Sequence, residues 1–404
     1  MKWEKMKLED VCEITSSKRI FYSEYVDDGV PFYRSKEIIE SDEGKVIENP
    51  LYISVDKYNE IKEKFGVPQT GDMLLTSVGT IGIPYIIKKN DCFYFKDGNL
   101  TWFRDFREGL NSKYLYYWIK SSEGTGILYN TTIGSSQKAL TISALKNIKV
   151  SLPPRSVQDK IVEVVSAYDN LIENNQKQIK LLEEAAQRLY KEWFVNLRFP
   201  GHENTKIVDG VPEGWSKSTV SEVSAILRRG ISPKYNENAR GIVINQKCIR
   251  QTIVSYDEAR TQEKKYPAEL ELKEADIAIC STGAGTLGRV GQIYEVRENT
   301  TLDSHVTLIR ANEKIGQQYL FWSLKMQQDY LMSAGKGSTN QLELSRETIG
   351  NCKILIPEQK IAEQAEKNLV TIHNKMKECS MQIARLREAR DLLLPKLMSG
   401  GMEV

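Results

Sequence analysis

Two stretches of the sequence hold basic, polar and aromatic residues close enough together to recognise a polyanion. The first runs Ser16, Ser17, Lys18, Arg19, Tyr22 and then Arg34, Ser35 and Lys36. The second runs Arg228, Arg229, Lys234, Tyr235, Asn236 and then Asn245, Gln246, Lys247 and Arg250. Arginine and lysine reach guanine edges and phosphates, and asparagine or glutamine can pair with adenine through two hydrogen bonds, so these are types that read a DNA duplex. Any one of them alone reads more readily as part of a solvated charged loop. Their occurrence at matching places in two halves of the chain brings recognition level with that reading.

Catalytic chemistry is not visible in the same way. Gly283-Ala284-Gly285-Thr286-Leu287-Gly288 follows the apolar run IAICST and spells a dinucleotide pattern. A pyrophosphate, however, needs a helix N-terminus next, and RVGQIYEV alternates like a strand. The equivalent Ser77-Val78-Gly79-Thr80-Ile81-Gly82 lacks the first glycine, so both segments are expected as turns between strands. Gly335-Lys336-Gly337-Ser338 lacks the upstream glycine of a phosphate loop, and the sole Pro-Pro, Pro153-Pro154, is not part of an amino-methyltransferase motif. Glu271-Leu272-Lys273 ends a nuclease-like pattern for which no partner acid precedes at strand spacing, and His305 stands alone. Cysteines at 12, 92, 248, 280, 352 and 379 form no Cys-x-x-Cys pair, and only three histidines accompany them. No metal site, disulfide framework or cofactor is expected in this chain.

The elements that carry the two clusters must come from a chain of 404 residues, long enough for two to four compact units. Its 40% hydrophobic and 27% charged residues are those of an ordinary globular protein. A net charge of +2 gives no bulk sign of a nucleic-acid partner. No run approaches the roughly 18 uncharged apolar residues of a spanning helix, and no signal-peptide core follows the opening residues, so a cytoplasmic protein without membrane contact is expected.

The chain repeats once, with a period of roughly 204 residues. WEKMKLEDV (3–11) matches WSKSTVSEV (215–223), with Leu8/Val220 and Val11/Val223 in register. PFYRSKEI (31–38) matches IVINQKCI, placing Lys36 on Lys247. GDMLLTSVGTIG (71–82) matches ADIAICSTGAGTLG (275–288), and NLTWFR (99–104) matches HVTLIR (305–310). KYLYYWI (113–119) then answers QYLFWSL (318–324), and SQKALTISALKNIKVSLP (136–153) answers NQLELSRETIGNCKILIP (340–357). Each half has one plan: an α/β-looking region, a proline exit and a long charged helix.

In the first helix Ile161, Val165, Tyr168, Ile172, Asn175, Ile179, Leu182, Ala186, Leu189 and Trp193 fall at alternating steps of four and three. The second gives Ala365, Leu369, Ile372, Met376, Cys379, Ile383, Leu386, Arg390 and Leu393, and Pro395 is expected to stop it. Such a rhythm over four heptads predicts a coiled-coil seam, and the two stripes are expected to be partners in a rod on the order of 60 Å long. RFPGHENTKIVDGVPEGW (198–215) reads as a linker. The expected divisions are 1–154, a first globular region; 155–197, the central helix; 198–214, the linker; 215–357, a second globular region; and 358–404, the C-terminal helix.

This pattern resembles the specificity subunit of Type I restriction–modification systems over the whole of 1–404. The most specific marks are SLPPRSVQDKIVEVV and LIPEQKIAEQ at the exits, EEAAQRLYKEWFVNLRFPG (183–201), LLLPKLMSG (392–400) and the GDMLLTSVGTIG turn. The resemblance implies an α+β fold in which two pseudo-repeated α/β target-recognition domains alternate with two long helices paired as an antiparallel coiled coil. It implies a non-catalytic DNA-binding subunit serving host defence and DNA methylation, each domain reading one half of a bipartite, asymmetric site in double-stranded DNA. The helices would set the spacing and dock two methylation subunits. S-adenosylmethionine, ATP and Mg would be carried by the methylation and restriction subunits. The residues expected at DNA are Ser17, Lys18, Arg19, Tyr22, Arg34, Ser35 and Lys36 in the first domain, and Arg228, Arg229, Lys234, Tyr235, Asn245, Gln246 and Lys247 in the second. Alternatives are a specificity subunit for an orphan methyltransferase and a coiled-coil scaffold that binds protein partners.

Overall fold

A computed structural model describes residues 3–44, 47, 49–134, 138–283, 285–337 and 342–402. Of the residues named above, Met1, Lys2, Ser136, Gln137, Ala284, Ser338, Asn340, Gln341 and those at 403–404 lie outside the described residues. The chain divides into two compact units, Met1–Asn174 with Ile383–Val404, and Asn175–Gln382. Both long helices therefore contribute to both units.

In the first unit, strands Glu13–Thr15, Leu100–Arg104, Met73–Thr76 and Pro84–Ile86 form an antiparallel sheet in that order. MLLT (73–76) is buried on both faces, and period-two alternation splits it between two cores. Met73 and Leu75 join Phe103, Tyr114 and Trp118, while Leu74 joins Phe95 and Trp102. A second sheet orders Tyr25–Val26, Leu51–Ile53, Val30–Tyr33 and Tyr94–Phe95, the last two parallel. Strand Glu4–Lys7 pairs with Lys149–Leu152, tying the start of the unit to its exit.

The second unit rebuilds this plan. Its sheet orders Ser224–Arg229, Val306–Ala311, Ile277–Cys280 and Val290–Gln292, and Ser216–Thr219 pairs with Lys353–Ile356. Again Ile277, Ile279 and Ile309 face one core, while Ala278, Cys280 and Leu308 face another. Strand Gly241–Ile244 lies between Arg260–Gln262 and, in parallel, Thr300–Leu302. The sequence matches recur as contacts. A buried Ser77–Thr101 hydroxyl pair at 2.7 Å is repeated by Ser281–Thr307 at 2.6 Å. The Tyr114 hydroxyl donates to the Ser151 carbonyl at 3.2 Å, and that of Tyr319 to the Leu355 carbonyl at 2.9 Å.

The helix Arg155–Tyr190 continues into a π-helical turn, Lys191–Val195, and the C-terminal helix spans Gln359–Met398. None of the predicted seam residues is exposed. Within the first unit Ile161, Val162 and Val165 pack with Leu393, Leu394 and Leu397, and Arg390 Nη1 donates to Asp169 Oδ1 at 2.7 Å. Within the second, Cys379 meets Gln178 at 3.4 Å, while Ala186 and Tyr190 join Ile361, Ala365 and Leu369. In each unit one segment ascends as the other descends, so the segments run antiparallel.

The helix passes Pro395 instead of stopping there. The ring removes one backbone donor close to the helix end, and the turn is kept because Leu394, Leu397 and Met398 are buried in the first unit's core. The stretch read as a linker is also more structured than its composition suggests. It carries a short hairpin, Ile207–Val208 with Val211–Pro212, and Phe199 packs on Trp215 with centroids 4.7 Å apart.

A buried histidine holds the C-terminal helix against the second unit's sheet. His373 stacks on Tyr294 at 4.2 Å, its Nδ1 lies 3.1 Å from Gln292 Oε1, and its Nε2 lies 3.7 Å from Glu274, which also binds Lys377 at 2.7 Å. Burial, opposed by Glu274, holds the imidazole below its usual value. The unfolded chain therefore takes up this proton first. The contribution is complete above about pH 6.5 and is lost as pH falls through the lowered value. Urea unfolding between about pH 7 and 5 is expected to show falling stability, with a flatter profile for His373→Gln. Identical slopes for the two proteins would assign the dependence to another group.

Candidate nucleic-acid interface

The matched basic segments occupy one structural place in the two units. Each follows the strand that pairs in parallel with a later one and opens a helical turn: Arg34 caps helix Ser35–Asp42 after Val30–Tyr33, and Asn245 caps the 3-10 turn Gln246–Cys248 after Gly241–Ile244. Lys36 and Lys247 thus both stand exposed in the first turn.

In the first unit the expected residues are divided between this helix start and the loop before Tyr22–Glu24. Lys18 lies over the Phe65 ring at 4.4 Å, and its backbone N–H donates to the Tyr94 hydroxyl at 2.7 Å. Arg19 pairs with Asp97 at 2.9 Å, and Tyr22 is 90% exposed, its ring edge-on to Tyr25. Ser17 and Ser35 carry buried hydroxyls without a partner, as does Ser16. Arg34 is committed to the fold: it binds Glu37 through Nη2 at 2.7 Å and Nε at 3.3 Å, while its N–H donates to the same carboxylate at 2.7 Å. Burial pushes that carboxyl up, yet the Arg34 bonds hold it below the ordinary glutamate value. Turning Arg34 outward would leave Glu37, 2% exposed, without its partner. Among the described residues Lys36 has only a 3.7 Å contact with Glu40.

In the second unit the structure gathers Tyr235, Asn245, Gln246 and Lys247 around one surface depression, together with Asp257, Glu258, Ala259 and Arg260. Arg228 and Arg229 line a different one with Glu343, Ser345 and Arg346. Arg228 pairs with Glu269, Lys234 with Glu263, and Arg229 with Glu343 at 2.7 Å and with the Leu344 carbonyl at 2.9 Å. Asn236 donates to Glu263 at 2.5 Å, and Arg250 Nε to the Lys247 carbonyl at 3.1 Å. Asn245 is occupied by the backbone: its Oδ1 accepts from the Lys247 N–H at 2.8 Å and its Nδ2 donates to the Glu258 carbonyl at 2.6 Å. Gln246 and Lys247, by contrast, have no side-chain hydrogen bond or ion pair among the described residues.

These two neighbours therefore call for opposite outcomes. Lys247→Ala is expected to weaken DNA binding and to make the salt dependence shallower by about one charge, with stability nearly unchanged. Asn245→Ala should instead cost about 1 kcal/mol of stability through its lost cap. Fluorescence-anisotropy titrations at several salt concentrations and urea melts separate the two. A Lys247→Ala protein with unaltered affinity would remove this lysine from the interface.

The other motifs are structural. Gly285–Gly288 form a turn before the strand Val290–Gln292, and Gly288, at φ 76°, lies where a Cβ would come within 2.4 Å of the Met332 backbone nitrogen. Glu271 accepts from the Thr300 N–H at 3.1 Å and from the Tyr266 hydroxyl, and His305 Nδ1 meets the Thr282 hydroxyl at 2.7 Å. The residue that sequence reading missed is Arg260. Asp257-Glu258-Ala259-Arg260 is outwardly an ordinary mixed-charge loop, and only the antiparallel bridge between Tyr235 and Gln262 brings this arginine to Tyr235.

Comparison with known proteins bears on this geometry. A family model described as Type I restriction modification DNA specificity domain matches residues 1–184. The chain is 27% identical over 433 residues to the type I restriction enzyme MjaIX specificity subunit of Methanocaldococcus jannaschii, covering all of this chain and 94% of that one. It is 25% identical to the type I restriction enzyme HindI specificity subunit of Haemophilus influenzae, over 65% of this chain and 70% of that protein. In fold it is similar to the crystal structure of a Type-I restriction-modification system S subunit from M. genitalium, with a TM-score of 0.58 and 16% identity over 98% of this chain and 96% of that one. Among the described residues no helix is long and apolar enough to cross a membrane.

Proposed function

We propose that this chain, whose residues 1–184 match the family model described as Type I restriction modification DNA specificity domain, is a non-catalytic specificity subunit that reads a split site in double-stranded DNA. Each globular unit takes one half-site. The two long helices pair along their length as an antiparallel spacer, set the distance between half-sites and dock two methylation subunits, to which restriction subunits add. The partners carry S-adenosylmethionine, ATP and Mg, and the assembly works in the cytoplasm on cellular and incoming DNA.

What carries this reading is one plan built twice with unlike residues at equivalent recognition positions. Lys36 and Lys247 stand exposed on the same strand-to-helix junction, but beside them Ser35, its hydroxyl buried, stands where the second unit places Gln246 on a depression also lined by Tyr235 and Arg260. Equivalent scaffolds with different base-facing chemistry read different sequences, so the two half-sites differ. The spacing follows from helix length: 36 residues at 1.5 Å each span about 54 Å, and the duplex presents the same groove face every 34 Å or so.

The test is to co-express the chain with a methyltransferase subunit encoded beside it and to map methylated adenines in host DNA by single-molecule sequencing. A split motif with two unlike halves is the expected result. A palindromic motif would overturn the assignment of different half-sites. A stable complex with an active partner and no methylation would favour the protein-binding scaffold.

A further inference from the structure

The cations of the second unit differ in how they are neutralised. Arg228, Arg229 and Lys234 face Glu269, Glu343 and Glu263, and Arg250 lies 3.8 Å from Glu258. Arg260 has no acidic partner among the described residues. Its guanidinium carbon lies 3.5 Å over the ring of Tyr235, which is 44% exposed. Both side chains stand on fixed backbone. Arg260 opens the strand Arg260–Gln262, Tyr235 bridges to Gln262 in antiparallel fashion, and the Asn236 N–H donates to the Thr261 carbonyl at 3.3 Å. A stacked guanidinium keeps its plane and leaves the edge of its fork free, which preorganises two parallel hydrogen bonds.

The walls of the depression discriminate between ligands. Asp257 and Glu258 line it beside Arg260, and two carboxylates make a poor cradle for a phosphate. They suit a base pair: guanine offers O6 and N7 to an arginine fork, while the N4 amino group of cytosine donates to a carboxylate. We propose that Arg260 is the guanine-reading residue of the second unit's half-site, with Tyr235 as its positioning residue. The inference rests on the DNA-reading function proposed above and names the base pair that this depression takes.

The experiment selects sites from duplex DNA randomised over a 30-bp window, using the full-length chain in complex with its co-expressed methylation partner. Wild type is compared with Arg260→Ala, Arg260→Lys, Tyr235→Ala and Tyr235→Phe. Wild type is expected to select a split motif with an invariant G·C pair in one half. Arg260→Ala and Arg260→Lys should each lose about 10- to 100-fold of the preference at that pair. The remaining base pairs of the same half-site should still be selected, which certifies that the second unit is folded in the variants. Tyr235→Ala should lose part of the preference and Tyr235→Phe should retain it. An unaltered motif with Arg260→Ala, or uniform weakening with a shallower salt slope and no change of motif, overturns the proposal. Equal behaviour of Tyr235→Ala and Tyr235→Phe removes the positioning role. A wild-type complex that selects no motif overturns the DNA-reading function itself, and this assignment with it.

Discussion

Phe194→Ala is expected to destabilise the second unit by about 3–5 kcal/mol, whereas Val195→Ala beside it should change stability by no more than about 0.5 kcal/mol. Phe194 is 5% exposed and stands edge-on to Tyr319 at 4.6 Å, with Tyr190 at 5.1 Å and Trp215 at 5.8 Å. Four aromatic rings, Tyr190 of the central helix, Phe194 of its π-helical turn, Trp215 before the strand Ser216–Thr219 and Tyr319 of the helix Gln317–Met326, thus share one core. A phenylalanine removed from it leaves a cavity that rigid neighbours cannot fill. Val195 is 56% exposed and has little burial to lose. Urea unfolding followed by tryptophan fluorescence measures both. Equal, small losses would mean that the π-helical turn Lys191–Val195 does not anchor the second unit.

Asp276→Ala is expected to cost about 3–5 kcal/mol, and the equivalent Asp72→Ala about 1–3 kcal/mol. The two aspartates match in the sequence repeat and do the same backbone work: Asp72 accepts from the Gln69 N–H at 2.9 Å, and Asp276 from the Lys273 N–H at 2.7 Å. Their second partners differ. Asp276 holds the Arg310 guanidinium with bonds of 2.6 and 2.7 Å, both side chains buried or nearly so, while Asp72 accepts from the neutral indole N–H of Trp102 at 2.9 Å. Removing the first carboxylate strands a cation, and removing the second strands only a dipole. Denaturation midpoints of the two variants check the order. A larger loss from Asp72→Ala would refute it.

The same pair marks how far the sequence could be read. That an aspartate recurs at the head of each buried strand is legible from the alignment of GDMLLTSVGTIG with ADIAICSTGAGTLG, and its turn-capping role follows from its place before an apolar run. Which donor completes each site is not legible. Trp102 and Arg310 lie 30 and 34 residues away along the chain and come from adjacent strands whose pairing only folding creates.

The sequence by itself determined the doubled plan, the two long helices and their seam, and the absence of a helix behind the glycine-rich turn. These are local regularities, a period of two on strands and of 3.5 on the helices, and each residue carries its part of the signal without regard to distant partners. Tertiary structure alone decided that the C-terminal helix outruns Pro395, because burial of Leu397 and Met398 outweighs one lost hydrogen bond. It also decided which charges are available. Arg34 and Asn245 looked like readers but are held by Glu37 and the backbone, Arg228 and Arg229 meet acids far along the chain, and Arg260 reaches the open depression on Tyr235. Charge availability depends on pairing between residues remote in sequence, and pairing is a property of the folded chain.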